Sequence, residues 1–367
     1  MSLPSRILFI AVFLLVSVGI VMTYSASAVY AEQVYSNSMY FLIRQLIFVI
    51  VGIFFMIITA MTPVPFWKRH SREVILFAIL MMMLVFLPGI GRSAGGARRW
   101  VRLGPVNFQP VEFAKIAACI YLSDYMTRKI KVIKQGSLPV FIPPMILIGT
   151  VCVLSLLQPD LGSCFIIFLV TSILIFMAGI RMQYVGLALA GLIPVFYLLV
   201  ARVPYRLSRV TAYLNPWDDP QGSGFQIIQS FLSFGLGGIK GVGLGQSTQK
   251  LFYLPSSYND FIFSVIGEEL GLIGMLGVMF LYAVILVCGI RLAEKARNDY
   301  EKLLVISLVL LIVLQALINM LVATGLIPTK GLAMPFVSYG GTSIVFNLMA
   351  VGFILSLDRS IHQRRSV

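Results

Sequence analysis

Apolar runs of about 20 residues, the length that crosses a ~30 Å hydrocarbon core as a helix, recur from Ile7 to Ile361 with short polar interruptions. No other feature constrains the chain as strongly, because hydrocarbon offers no water to an unpaired backbone group and admits only helices or closed barrels. Only 11% of the residues are charged and 59% are hydrophobic, against about 25% charged in soluble domains. A water-soluble globule is therefore excluded. Ten spans are read, near residues 7–28, 41–60, 73–88, 111–126, 138–157, 160–179, 183–200, 259–290, 303–324 and 342–358. The expected fold is an all-α integral membrane protein, a single polytopic domain over residues 1–367, with one long extracytoplasmic loop between helices 7 and 8.

Charge sets the orientation. With a cytoplasmic N-terminus, the inside segments hold Arg6, Lys68, Arg69, Arg72, Arg128, Lys129, Lys131, Lys134, Arg181, Arg291, Lys295, Arg297, Lys302, Arg359, Arg364 and Arg365. The excess of basic residues in short loops on one side places both termini in the cytoplasm, so the net charge of +14 requires no nucleic-acid partner. Ser25-Ala-Ser-Ala28 resembles a signal-peptidase site, but the preceding run is long for a signal segment and the first helix is expected to stay.

Several chemistries lose their support at once. His70 and His362 both lie in charged flanks, which removes the residues that Ser-His-Asp catalysis and His-ligated zinc require. Cys119, Cys152, Cys164 and Cys288 sit singly in apolar segments without CxxC spacing and read as small core residues.

The informative residues break the topological bias. Arg92, Arg98, Arg99 and Arg102 fall in one outside loop (89–110), Arg202, Arg206, Arg209, Lys240 and Lys250 in another (201–258), and Lys330 in a third (325–341). Cations held outside suggest an anionic ligand there. Residues 235–245 carry six glycines, which permit close backbone approach or positive φ, and read as a tightly turned, membrane-apposed loop.

Asp260, directly before an apolar helix, is placed like an N-cap or first-turn residue. Glu268 and Glu269 follow about 12 Å deeper, where adjacent carboxylates cannot both face lipid. Glu112 and Lys115, at i and i+3, share a helical face and can pair, and Asp160 reads as a turn and helix-cap residue. A polar cavity opening outward is the simplest home for these charges, whether for transport or for surface enzymology.

With these residues in place, the sequence resembles the SEDS family (shape, elongation, division and sporulation), the FtsW/RodA/SpoVE group of polytopic peptidoglycan polymerases, nearly end to end. The stretches that carry the resemblance are Tyr24-Ser-Ala-Ser27, Gly96-Ala-Arg-Arg-Trp100, Phe108-Gln-Pro-Val-Glu-Phe-Ala-Lys115, Gln158-Pro-Asp-Leu-Gly162, Asn259-Asp-Phe-Ile-Phe263 with Gly267-Glu-Glu-Leu-Gly271, and Pro335-Phe-Val-Ser-Tyr-Gly-Gly341. Asn215-Pro-Trp-Asp-Asp-Pro220, Gly243-Leu-Gly-Gln-Ser-Thr-Gln-Lys250 and Pro328-Thr-Lys-Gly331 look more like the division branch than the elongation branch. One departure stands out: Tyr258-Asn259 occupies the place of the family's usual His-Thr before the Asp.

The resemblance implies polymerisation of lipid II, an undecaprenyl pyrophosphate disaccharide-pentapeptide, at the outer face of the cytoplasmic membrane, in septal synthesis during division. Asp260 would be the general base of an inverting displacement. Arg98, Arg99, Lys115 and Lys330 would surround the pyrophosphate, directly or through a divalent cation, Mg or Mn, with no covalently bound cofactor. Trp100 would stack on sugar or anchor at the interface, and Gln109, Glu112, Glu268 and Ser338 complete the implied substrate-binding set. The implied partners are a class B penicillin-binding protein transpeptidase and other divisome membrane proteins. The competing readings are a lipid II flippase, the elongation-type polymerase, and a non-catalytic scaffold.

Overall fold

The structure is a computed structural model that describes residues 1–94, 97–104, 106–180, 183, 186, 197, 204–249, 257–329 and 331–363. Its helices are α1 (Leu3–Tyr35), α2 (Tyr40–Met61), α3 (Val64–Arg69), α4 (Ser71–Leu84), α5 (Pro110–Lys134), α6 (Ile142–Leu157) and α7 (Leu161–Met177). They continue with α8 (Pro204–Leu214), α9 (Phe225–Gly237), α10 (Ile262–Glu294), α11 (Asp299–Ala323) and α12 (Gly341–Gln363). Nine of the ten spans read from the sequence coincide with described helices, and the seventh, 183–200, lies outside the described residues save three. By length and composition, six segments are long and apolar enough to cross a membrane, counting only the described residues.

Local signals start several helices. Asp160 caps α7, accepting the Ser163 amide at 3.0 Å, and Asn298 caps α11, accepting the Glu301 amide at 2.9 Å. Asp299 and Glu301 in the first turn of α11 also suit its dipole. α11 packs against α5, α7, α10 and α12, while α2 pairs with α12 and α1 with α10.

Two regions expected as loops have structure of their own. Residues 89–110 contain a three-stranded antiparallel sheet of β1 (Gly91–Ala94), β2 (Ala97–Leu103) and β3 (Val106–Phe108), in the order β1-β2-β3, so the chain is not wholly helical. Its strands are too short and too cationic to register as an apolar pattern. The segment 201–258 contains α8 and α9, and α9 encloses the amphipathic run at 226–234.

The glycine-rich segment after α9 explains a feature of α10 that apolar counting missed. α10 is interrupted at Gly271 (φ 67°, ψ −165°), about 13 Å along its axis from Ile262. The opened carbonyls of Glu268 and Glu269 accept the amides of Val242 (2.9 Å) and Gly243 (3.0 Å), and the freed amides of Leu272 and Ile273 donate to Gly238 and Ile239. Non-helical backbone at membrane depth survives only where protein satisfies it. Glu268 and Glu269, each 1% exposed, hold the returning segment and α1: Glu268 accepts from Ser247 Oγ and Thr248 N, and Glu269 accepts from Ser247 N at 3.4 Å and from Ser25 Oγ of α1. A tightly turned segment is what the six glycines led us to expect.

Deeper between α5 and α11, Lys115 Nζ donates to Glu112 Oε1 at 2.8 Å and to Gln315 Oε1 at 2.8 Å. The i, i+3 pair is therefore formed, with both side chains buried.

We expect Gly241→Ala to destabilise the protein by roughly 1–3 kcal/mol, the scale of a forced αL conformation, because its φ is +79° and a Cβ would meet Glu269 O at 2.2 Å. Gly235→Ala has nothing within 4 Å of its Cβ and should leave thermal unfolding in detergent unchanged or slightly raised. Glu112→Gln and Lys115→Met should each cost about 3–5 kcal/mol by stranding a buried partner. The double variant should recover much of that loss, and simple addition of the two single losses would show that the groups are not energetically paired.

Candidate functional site

The turn 257–261 before α10 is held by three successive main-chain carbonyls. Tyr258 O accepts the Tyr339 amide at 2.9 Å, Asn259 O accepts Ser338 Oγ at 2.6 Å, and Asp260 O accepts Asn319 Nδ2 at 2.8 Å. With the main chain fixed, the Asp260 carboxyl has a defined place. It does not cap α10, whose N-cap position is Phe261 with no side-chain cap, so the helix-cap reading of Asp260 falls away. The main chain at Gly331 packs beside it, where a Cβ would lie 3.6 Å from Asp260 Oδ2.

Among the described residues, three charged side chains from other elements act on this carboxyl. Burial raises the Asp260 pKa above its ordinary value, the Arg209 and Arg99 guanidiniums pull it back down, and the Asp160 carboxylate pushes it up. Arg99 donates to the carbonyls of Gln158 (3.1 Å) and Pro159, and Arg209 donates to Thr329 O at 3.0 Å. Asp160, besides capping α7, accepts from Gln109 Nε2 at 3.4 Å. Such a carboxyl, partly withdrawn from water but flanked by cations, is ionisable and more basic than a free one.

The structure sorts the residues chosen from sequence. Asp260, Arg99, Gln109 and Ser338 come together, Ser338 as the hydroxyl that holds both Asn259 O and the Met334 amide. Arg98 does not join them: neighbours on a strand point to opposite faces, and its guanidinium donates to Leu87 O at 2.8 Å. Trp100 sits half-buried on β2, opposite Arg92 of β1. Glu112 and Lys115 are buried in the α5–α11 interface, and Lys115, 2% exposed, does not present its ammonium to an open face. Glu268 is engaged by Ser247 and Thr248 at the broken helix. Lys330 lies outside the described residues.

Sequence reasoning left out four members. Arg209 was noted only as a cation outside, Asp160 only as a cap, and Gln315 and Asn319 not at all, although two amides at i, i+4 in an otherwise apolar span are a signal. An apolar groove of about 700 Å³ also runs between α2, α4, α5 and α12, lined by Phe48, Phe55, Phe77, Phe113 and Phe346, with Arg44 and Thr342 also in its wall.

Comparison with known proteins agrees with this architecture. The family model described as cell cycle protein, FtsW/RodA/SpoVE, matches residues 5–363. A probable peptidoglycan glycosyltransferase FtsW of Geobacter sulfurreducens is 42% identical over 343 residues, 93% of this chain and 91% of that protein. Stage V sporulation protein E of Bacillus subtilis is 40% identical over 97% of both chains. Among solved structures, a chain of a peptidoglycan synthase complex described as coordinating polymerization and crosslinking superposes with a TM-score of 0.79 at 27% identity, covering 97% of this chain and 98% of that one. The rod shape determining protein RodA of Thermus thermophilus shares the fold, with a TM-score of 0.69 at 23% identity over 97% of each chain. This chain belongs to the FtsW/RodA/SpoVE family of multi-pass membrane proteins.

Proposed function

We propose that this protein is a peptidoglycan glycosyltransferase that polymerises lipid II into glycan strands for septal synthesis, at the extracytoplasmic face of the cytoplasmic membrane. The observation that carries the reading is Asp260 itself, a carboxyl pinned through three consecutive carbonyls, with its pKa raised by burial and two arginines acting on it. A sugar hydroxyl must lose its proton as it attacks the anomeric carbon of a donor whose leaving group is a pyrophosphate. One carboxylate base suffices for a single inverting displacement, and a positioned base contributes typically 10²–10⁴ in rate. The leaving pyrophosphate calls for positive charge rather than a general acid, and Arg99 and Arg209 supply it beside the base. The Phe-lined groove offers the apolar surface that an isoprenoid chain requires.

A divalent cation, Mg or Mn, is compatible with this donor set. Among the described residues no three His, Cys, Asp or Glu converge, so such an ion would rely on Asp160 or Asp260, phosphate oxygens and water, the habit of Mg²⁺ at phosphate sites. A class B penicillin-binding protein is the expected partner, supported by the likeness to a chain of a synthase complex, together with other divisome membrane proteins. The broken α10 favours one second reading, a lipid II flippase, since discontinuous helices recur in transporters.

Purified protein with its transpeptidase should convert lipid II into glycan ladders, and Asp260→Asn should abolish them with near-normal thermal stability. Translocation of lipid II in vesicles without any ladder would favour the flippase. Because the working form of Asp260 is ionised, the acid limb of kcat/KM should lie above the ordinary carboxylate pKa. Arg209→Gln removes a group that lowers this pKa and should move the limb to higher pH; a limb that stays put or moves down refutes the assignment. Lipid II affinity should fall more in Arg99→Ala than in Arg98→Ala, with Arg99→Lys restoring only part because the planar fork is lost.

A further inference from the structure

The helix α11 brings two amide side chains, Gln315 and Asn319, to the same face one turn apart, 1% and 2% exposed. Asn319 Nδ2 uses both protons, on Asp260 O at 2.8 Å and on Leu332 O at 2.7 Å. Gln315 Nε2 donates to Ala333 O at 2.9 Å, while its Oε1 accepts from Lys115 Nζ. The carbonyls they grip, Leu332 and Ala333, follow Gly331, whose main chain lies against the Asp260 carboxyl. The Met334 amide is tied back through Ser338 Oγ to Asn259 O. The segment 331–338 is thus a strap across the Asp260 turn, and α11 holds both.

We propose that Gln315 and Asn319 are positioning residues that set the strap and the Asp260 carboxyl relative to each other, and that Lys115 serves the reaction through Gln315 rather than by touching the leaving group. A primary amide is two-faced: one end donates, the other accepts, and it can turn over. The Lys115 ammonium, a donor only, leaves Gln315 no choice but to present Oε1 to it and Nε2 to Ala333. Glu112, by holding Lys115, completes the line Glu112 to Lys115 to Gln315 to Ala333. Removing the ammonium frees the Gln315 amide to turn, and the strap loses its tie. The inference rests on reading Asp260 as the general base.

The test is a kinetic cycle on the full chain with its transpeptidase, measuring kcat and KM for lipid II in Lys115→Met, Gln315→Met and the double variant, each corrected for folded fraction. Misplacement of a catalytic group by about 1 Å costs on the order of 100-fold. Each single variant should therefore lower kcat by 10- to 100-fold with KM within about twofold, and the double variant should match the singles rather than multiply them. If Lys115 contacted the pyrophosphate, Lys115→Met would raise KM and the two losses would multiply, which overturns the proposal. Gln315→Glu keeps an acceptor for Lys115 but leaves Ala333 O without its donor, so it should lose thermal stability and, corrected for folded fraction, still lose kcat with KM within about twofold. Wild-type kcat in Gln315→Glu also overturns it. Activity surviving in Asp260→Asn would instead remove the base assignment, while the coupling between Lys115 and Gln315 would still be measurable and would be judged separately.

Discussion

Inside hydrocarbon a broken stretch of backbone has no water to turn to, and this requirement organises the whole molecule. Where α10 breaks at Gly271, the opened carbonyls and amides are taken up by the main chain of residues 238–243. Only glycine lets two backbones come that close: a Cβ at Gly237 would meet Gly267 O at 2.0 Å and one at Gly271 would meet Gly241 N at 2.3 Å. The same demand shapes the strap at 331–338, whose carbonyls are gripped by side-chain amides and by the Tyr282 hydroxyl on Pro335 O. Irregular backbone is permitted in this bundle where another element supplies the partner, and it is at such places that the site is assembled.

Glu112 with Lys115, Glu268 with Glu269, and Asp260 have three distinct surroundings. Glu112 and Lys115 neutralise each other in the α5–α11 interface. Glu268 and Glu269 spend their acceptors on hydroxyls and amides of Ser247 and Thr248 and on the Ser25 hydroxyl of α1. Asp260 stands apart because its carboxyl is left to the electrostatics of Arg99, Arg209 and Asp160 rather than saturated by hydrogen-bond donors of its own helix. That distinction separates the Asp260 carboxyl, proposed above as the base, from the carboxylates that hold the architecture.

Part of the candidate site's arrangement was legible in the sequence. Asp260 stood out because a carboxylate before an apolar helix is conspicuous, and the Glu112–Lys115 pair followed from its i, i+3 spacing. Arg98 and Arg99 looked equivalent as adjacent cations, and only their placement on a strand separates them, one toward Leu87 O and the other toward the Asp260 turn. Glu268 was grouped with substrate-binding residues because depth in a membrane is visible in sequence while the identity of a hydrogen-bond partner is not.

The sequence by itself determined where the chain crosses the membrane, which way it is expected to face, and which few residues carry charge into a place that resists it. Those properties depend on composition and spacing along a single segment, and hydrocarbon enforces them locally. The tertiary structure decided the helix break, the small sheet at 91–108, the sorting of the carboxylates and the grip of Gln315 and Asn319 on the strap. Each of these depends on a partner distant in the chain, as Asn319 is from Asp260 or Val242 from Glu268. Such pairings are selected by packing, which no single segment contains.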